Sequence, residues 1–223
     1  MSEYFSRQYM LWGDKTQELL AQKSIVIVGA GGLGSSLALA LSGSGVKKID
    51  IIDFDRVEVH NIHRQVLFDI EDCNEYKAKI VSQKILYRNP FLESNYYIKS
   101  FEDFIEQEPF DYDIILDATD NLEVRFTINQ FAKKHNIPWV YGSVEEFNGQ
   151  VALFKEADFS LFASKELETK GIAAPMVMQI ASFEANLALR YLANLKVASD
   201  IFYYLYYNKD GEFEMKKFNL PKG

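Results

Sequence analysis

Gly29-Ala30-Gly31-Gly32-Leu33-Gly34 fits the pattern G-x-G-x-x-G, with the β-branched run Ser24 to Val28 before it and an Ala-, Leu- and Ser-rich stretch behind. Glycines let a backbone approach a phosphate, and the N-terminus of the following helix offers free N–H groups and the positive end of a dipole. Asp53 ends the next apolar run, about 20 residues on, where a carboxylate can accept hydrogen bonds from ribose hydroxyls. Together they point to a mononucleotide or dinucleotide site, the plainer alternative being a tight turn without a ligand. Ser35-Ser36 stand where a Walker lysine would be. A triphosphate must therefore be neutralised from elsewhere.

The segment Asp53-Phe54-Asp55-Arg56-Val57-Glu58-Val59-His60-Asn61-Ile62-His63-Arg64-Gln65 can supply that neutralisation. An arginine at Arg64 can fork across two phosphate oxygens, and Lys77 adds a point charge at the start of the next helix. Chemistry at a phosphate needs such cations because charge develops there in the transition state; the alternative is that both are plain surface charges. Asp117 and Asp120 end the run Tyr112 to Leu116 and face the same crevice. A carboxylate there can hold Mg²⁺ against a polyphosphate, the plainer alternative being that one of the two caps the helix beginning at Asn121. The expected division is Asp117 structural and Asp120 functional. His60 and His63 with Asp55 could also be read as a metal set, against the simpler reading of loop histidines beside a nucleotide.

These residues need a sheet to carry them. The order strand, glycine turn, helix, strand makes a βαβ unit with parallel strands, because the connection is too long for a hairpin. Further strands are expected at Tyr96 to Ile98, Tyr112 to Leu116 and Pro138 to Val144, with helices at Tyr76 to Tyr87 and over residues 122–134. Phe147-Asn148-Gly149-Gln150 reads as a turn before a strand through Phe154, and Ala174 to Leu195 reads as an amphipathic helix. Ile201 to Tyr207 and Glu212 to Phe218 make a hairpin around Asn208-Lys209-Asp210-Gly211. The expected fold is a Rossmann-like open α/β sheet, mostly parallel at the start, with antiparallel C-terminal strands.

Composition sets the outer limits. The 223 residues are 48% hydrophobic and 25% charged, ordinary globular values. Acidic residues outnumber basic ones by 32 to 24, giving net −8, which argues against a chain whose main task is coating nucleic acid or an anionic membrane. One cysteine, Cys73, allows no internal disulfide and no Cys-rich zinc site. With no secretory pattern at the start, a cytoplasmic protein is expected. Acidic neighbours from Asp69 to Glu75 raise a thiol pKa, so Cys73 reads as incidental rather than nucleophilic.

Ser6-Arg7-Gln8, GAGGLG, DFDRVEVHNIHRQ, Lys77, DATDN and the late GIAAPMVMQIASFEA together resemble the ThiF/MoeB/HesA family. These are bacterial relatives of ubiquitin-activating enzymes, which adenylate the C-terminal glycine of ubiquitin-like sulfur carrier proteins. The resemblance covers nearly the whole chain and implies an ATP-dependent adenylyltransferase, in thiamine or molybdopterin synthesis, acting on a ThiS- or MoaD-like carrier. It implies one adenylation domain over 1–223, with an N-terminal helical arm (1–22), nucleotide-binding core (23–154), crossover segment (155–172) and a helix with C-terminal hairpin (173–223). It further implies that Gly29, Gly31 and Gly32 lie at the phosphates and Asp53 at the ribose. Asn61, His63, Arg64, Gln65 and Lys77 would contact the triphosphate, Asp120 would hold Mg²⁺, and Asn121 would lie beside the nucleotide. Arg7 would reach into a neighbouring subunit's site, making a homodimer and a catalytic set of Arg7, Arg64, Lys77 and Asp120.

The chain departs from the family in two ways. It has no C-x-x-C pairs, so no zinc is expected, and 155–172 offers Ser160, Ser164 and Thr169 but no cysteine to capture an activated carrier. The expectation is an enzyme that adenylates and leaves sulfur delivery to another protein. The alternatives are a relative activating a small carboxylate on tRNA, a nicotinamide dehydrogenase sharing the glycines and Asp53, and a scaffold without turnover. Net acidity counts against the first, and the second leaves Arg7, Arg64 and Lys77 without work.

Overall fold

In the computed structural model, which describes residues 3–161 and 171–222, the chain runs α1 (Ser6–Leu20), β1 (Ser24–Val28), α2 (Gly32–Ser42), β2 (Lys48–Ile52), α3 (Lys77–Arg88), β3 (Tyr96–Tyr97), α4 (Phe101–Gln107) and β4 (Ile114–Asp117). It continues with α5 (Leu122–His135), β5 (Trp139–Glu145), β6 (Asn148–Phe154), α6 (Ala174–Leu192), β7 (Ile201–Tyr207) and β8 (Phe213–Asn219). The strands form one sheet in the order β3-β2-β1-β4-β5-β6-β7-β8. Neighbours from β3 to β5 pair in parallel, and those from β5 to β8 antiparallel. This is the open α/β sheet expected from the sequence.

The central strands are covered on both faces, which is why β1 is Ser-Ile-Val-Ile-Val rather than an apolar–polar alternation. Ile25 and Ile27 join the core formed with α2, α3 and α6, whereas Val26 and Val28 join the aromatic core under α4 and α5. That second core holds Phe101, Phe104, Tyr112, Trp139, Phe154 and Phe159, so the aromatic content has a definite place. Trp139 stacks on Phe154 with ring centroids 4.6 Å apart.

Strand order reverses between β1 and β4, and open α/β sheets bind ligands at the carboxyl ends of such a pair. The glycine turn leaves β1 and the Asp117-to-Asn121 loop leaves β4 at this point.

Two expectations need correction. The β5–β6 hairpin turns at Glu146 and Phe147, because Glu145 pairs with Asn148, and Gly149 and Gln150 are strand residues. Glu146 takes the left-handed conformation, with φ 53°. The α6 helix stops at Leu192, and α4 was not anticipated at all. Within the crossover segment Phe159–Leu161 forms a 3-10 turn, while Ser164 and Thr169 lie outside the described residues. No helix among the described residues is long and apolar enough to cross a membrane.

Candidate functional site

The glycine turn is built by backbone contact. Gly29 has φ 92°, and a β-carbon there would lie 2.7 Å from the Ala118 carbonyl oxygen. A β-carbon on Gly34 would lie 1.9 Å from the carbonyl oxygen of Gly29, so only glycine lets α2 begin this close to the strand end. Asp53 holds the turn from the next strand: Oδ2 accepts from the Ala30 N–H at 2.6 Å and Oδ1 from the Asp55 N–H at 2.7 Å. Burial pushes the Asp53 carboxyl above its ordinary range against the pull of those two N–H groups and of Lys77. Each oxygen keeps lone-pair capacity toward the crevice.

The loop after β2 folds back over the glycines. A β-carbon on Gly32 would lie 3.5 Å from the Arg64 carbonyl oxygen, and one on Gly31 3.6 Å from Gln65 Nε2. Gln65 and Asn61 are buried. Asn61 Oδ1 accepts from the Glu58 N–H at 3.2 Å, which shapes the 3-10 turn Val59–Asn61. Gln65 Oε1 has no hydrogen-bond partner among the described residues, so a polar ligand over the glycine turn would satisfy it. Arg64 is half-buried, its Nη1 donating to the His60 carbonyl at 3.0 Å and lying 3.1 Å from Nε2 of the exposed His63. Lys77, buried at the start of α3, pairs through Nζ with Asp55 Oδ2 at 2.8 Å.

The loop after β4 is built differently. Asp117 is fully buried; Oδ1 accepts from the Thr119 N–H and Oγ1 at 2.9 and 2.7 Å, and Oδ2 from Arg125 Nε at 3.1 Å. Arg125 Nη2 also donates to the carbonyls of Thr119 and Gly142, at 2.5 and 3.2 Å. Asp120 stands exposed at the end of this braced turn. The alternative in which a carboxylate caps the helix is corrected: Asn121 caps α5, its Oδ1 accepting from the N–H groups of Glu123 and Val124. Arg125 was missed by the sequence reading because an arginine one turn into a mixed helix reads as solvent face.

Arg7 does not join this site within its own chain. It is exposed on α1, and its neighbour Gln8 donates to the carbonyl of Gly43, which caps the C-terminal end of α2. The glycine turn lies at the opposite end of that 11-residue helix, roughly 16 Å away at 1.5 Å per residue. The side chains of His60, His63 and Asp55 are engaged separately, His60 with Glu58, His63 with Arg64 and Asp55 with Lys77. No group of three or more His, Cys, Asp or Glu residues that could hold a metal occurs among the described residues. Asp120 remains a single hard oxygen ligand of the type that binds Mg²⁺ together with phosphate oxygens.

A glycine turn, a carboxylate at the end of the next strand and cations folded over one switch point give an α/β protein with the place where open sheets of this kind bind ligands. The family model of the ThiF family matches residues 5–222, and the chain belongs to that family. It is 37% identical over 143 residues to a sulfur carrier protein adenylyltransferase of Thermus thermophilus, covering 64% of this chain and 53% of that one. It is 29% identical over 222 residues to a probable molybdopterin-synthase adenylyltransferase of Gracilaria tenuistipitata, covering 94% and 62%. The chain thus spans between about a third and two thirds of the length of the curated relatives it matches. The crystal structure of E. coli MccB with ATP shares the fold, with TM-score 0.84 and 20% identity over 98% of this chain and 72% of that one.

Proposed function

We propose that the chain is an ATP-dependent adenylyltransferase that activates the C-terminal glycine carboxylate of a small ubiquitin-like sulfur carrier protein. The observation that carries this reading is the folding of the Asn61-to-Gln65 loop over the glycine turn, with Lys77 behind it. Hydride transfer has no use for that arrangement, whereas displacement at a phosphate does. The thiamine and molybdopterin carriers both fit, and a cytoplasmic location suits a chain with one cysteine.

In the reaction a carrier carboxylate oxygen bonds to the α-phosphorus as the bond to the bridging oxygen of pyrophosphate breaks, giving acyl-adenylate and pyrophosphate. Gly29, Gly31 and Gly32 let the backbone meet the phosphates, and Asp53 accepts from the ribose hydroxyls. Asn61, His63, Gln65, Arg64 and Lys77 surround the triphosphate, the two cations matching the charge that grows on the departing pyrophosphate. Asn121 ends the wall beside the nucleotide. Asp120 would hold Mg²⁺, which supplies Lewis-acid charge neutralisation at the phosphate oxygens when bound. No covalent link to the protein is needed; positioning and charge do the work. A groove of about 870 Å³ is lined by Phe147, Ile172, Pro175, Met176 and Tyr207, and Val177, the residue after Met176 on α6, packs on Gly32. A carrier tail lying in it has a path to the α-phosphate.

Arg7, at the far end of α2 from its own glycines, is read as reaching a second subunit's site in a homodimer, with 1–223 acting as one adenylation domain. Pyrophosphate exchange into ATP is expected only when a carrier ending in Gly-Gly is added, and its absence with every such carrier of the same cell would sink the proposal. Arg64→Ala is expected to slow exchange roughly 10²-fold. Mixing Arg7→Ala with Lys77→Ala protein should restore activity that neither has alone, because one mixed-dimer site is intact. Failure of that complementation removes the crossing arginine.

A further inference from the structure

Glu184 is a fully buried carboxyl that the adenylation chemistry does not use. It lies on α6 between Ile180 and Leu187, on the stripe that packs against the sheet. Neither of its carboxyl oxygens has a hydrogen-bond partner among the described residues. The carboxyl sits on the backbone of Gly142 in β5, where an added β-carbon would be 1.9 Å from Oε1 and 2.2 Å from the carboxyl carbon. Gly142 thus has no side chain because Glu184 fills that space.

The carbonyl of this same Gly142 accepts from Arg125 Nη2, the nitrogen that also holds the Thr119 carbonyl one residue before Asp120. The charged and titratable groups around Glu184 are Asp117 from β4, Arg125 from α5 and Tyr141 from β5, with the guanidinium 4.9 Å from the Tyr141 ring centre. One cation stands among two carboxyls, and Asp117 already engages it at 3.1 Å. Charging Glu184 as well would leave an uncompensated anion in a buried cluster. Burial, with Asp117 adding to it, holds the Glu184 carboxyl well above the usual carboxylate range, and Arg125 opposes this only in part.

We propose that Glu184 is a positioning residue for the reaction at the Asp120 turn, its carboxyl backing Gly142 and so fixing the Arg125 fork. It touches no substrate. Its effect passes from the Gly142 carbonyl to Arg125, from Arg125 to the Thr119 carbonyl, and from there to the neighbouring Asp120. The consequence for catalysis rests on the adenylation reading; the consequence for the turn does not.

The test compares Glu184→Gln, of the same shape, and Glu184→Leu, of similar size, with Glu184→Ala, which leaves the space over Gly142 empty. Amide hydrogen exchange at residues 119–121 is measured in the unliganded full chain, beside thermal melts that confirm folding. Exchange there, relative to distant amides, is expected to rise about tenfold or more in Glu184→Ala and to stay within about threefold of wild type in Glu184→Gln and Glu184→Leu. In carrier-dependent pyrophosphate exchange, Glu184→Ala should lose at least about tenfold in kcat with the KM for ATP within about threefold, and Glu184→Gln should keep kcat. Wild-type protection of residues 119–121 and an unchanged kcat in Glu184→Ala would overturn the proposal, as would equal impairment of all three variants. If Glu184→Ala does not fold, Gly142→Ala, which pushes the carboxyl off the strand, decides in its place, and unchanged exchange at residues 119–121 in it overturns the proposal. Absence of pyrophosphate exchange in wild type would remove the adenylation reading and leave the brace to be judged by the amides.

Discussion

The two loops that meet at the crevice hold their charges in opposite ways. In the loop after β2, Lys77 pairs with Asp55, whose side chain is 54% exposed, and His60 with Glu58, both largely in solvent. Arg64 rests on a carbonyl and on a histidine ring. In the loop after β4, Asp117 and Arg125 are side chains at 0% and 9% exposure, joined to each other and to two carbonyls. Solvent-screened pairs contribute little to stability, so a polyanion can displace them at small cost. Buried pairs cannot be exchanged without stranding a charge. On the proposed function, one loop is arranged to receive phosphate, and the other to hold still beneath it.

The comparison predicts its largest effect on the buried side. Arg125→Leu strands Asp117 and frees the Thr119 carbonyl, which should cost about 3–5 kcal/mol of stability. In a chain of this size that is a fall in Tm of about 6–20 °C. A fall of only 1–2 °C would mean that the brace is not the frame.

A second prediction reads the pH dependence of stability. The Glu184 carboxyl lies well above the ordinary range in the folded chain and near 4.3 once unfolded. Above about pH 4.3 the folded state keeps a proton that the unfolded state releases, so stability falls as pH rises toward the folded value. Glu184→Gln has no such proton, so its melting temperature minus that of wild type should be small at pH 4 and grow as the pH rises above that. On the exposed side, Lys84 holds the Asp69 carboxyl below its usual range and Lys79 does the same for Glu75. Their contribution is present above the unfolded carboxylate value and is lost as pH falls below about 4. Lys84→Ala should therefore differ from wild type at pH 7 and converge on it near pH 3.

That the residues of the loop after β2 come together around the glycine turn was legible in the sequence, because motif residues close in sequence around one βαβ unit stay close in space. The glycines, Asp53, Arg64, Gln65 and Lys77 stand together around the β1–β2 unit. The parallel strands were legible because burial on both faces writes an unbroken β-branched run. Gly149 misled because it resembles a turn residue. It is a strand residue pressed by Ile180, where a β-carbon would come within 2.1 Å of Cδ1. The missed α4 is a short helix, though Ser100 does cap it at Asp103 in a pattern visible from the sequence. Glu184 and Arg125 were not legible, since a charged residue on a helix reads as solvent face until the partner elements are known. For Glu184 one signal existed: it shares the stripe of Ile180, Leu187 and Ala188.

At the boundary between the loops, Asn121→Ala removes the cap on α5, with its bonds to the Glu123 and Val124 N–H groups, and should cost about 1 kcal/mol. The loss should appear as lowered protection of the first turn of α5 in amide exchange. Unchanged protection would shift the hold on this turn entirely to Arg125.

The smallest stability effect belongs to the receiving loop. Lys77→Met keeps the buried stem of the side chain and removes only the ammonium group. Asp55 is left half in water, where it needs no partner. The stability change should therefore stay below about 1 kcal/mol, although the same substitution removes a cation from the phosphate site. ATP binding measured by calorimetry should weaken while the melting temperature of the unliganded protein barely moves. A loss of several degrees with ATP binding intact would make Lys77 part of the frame, and the contrast between the two loops would then be one of exposure alone.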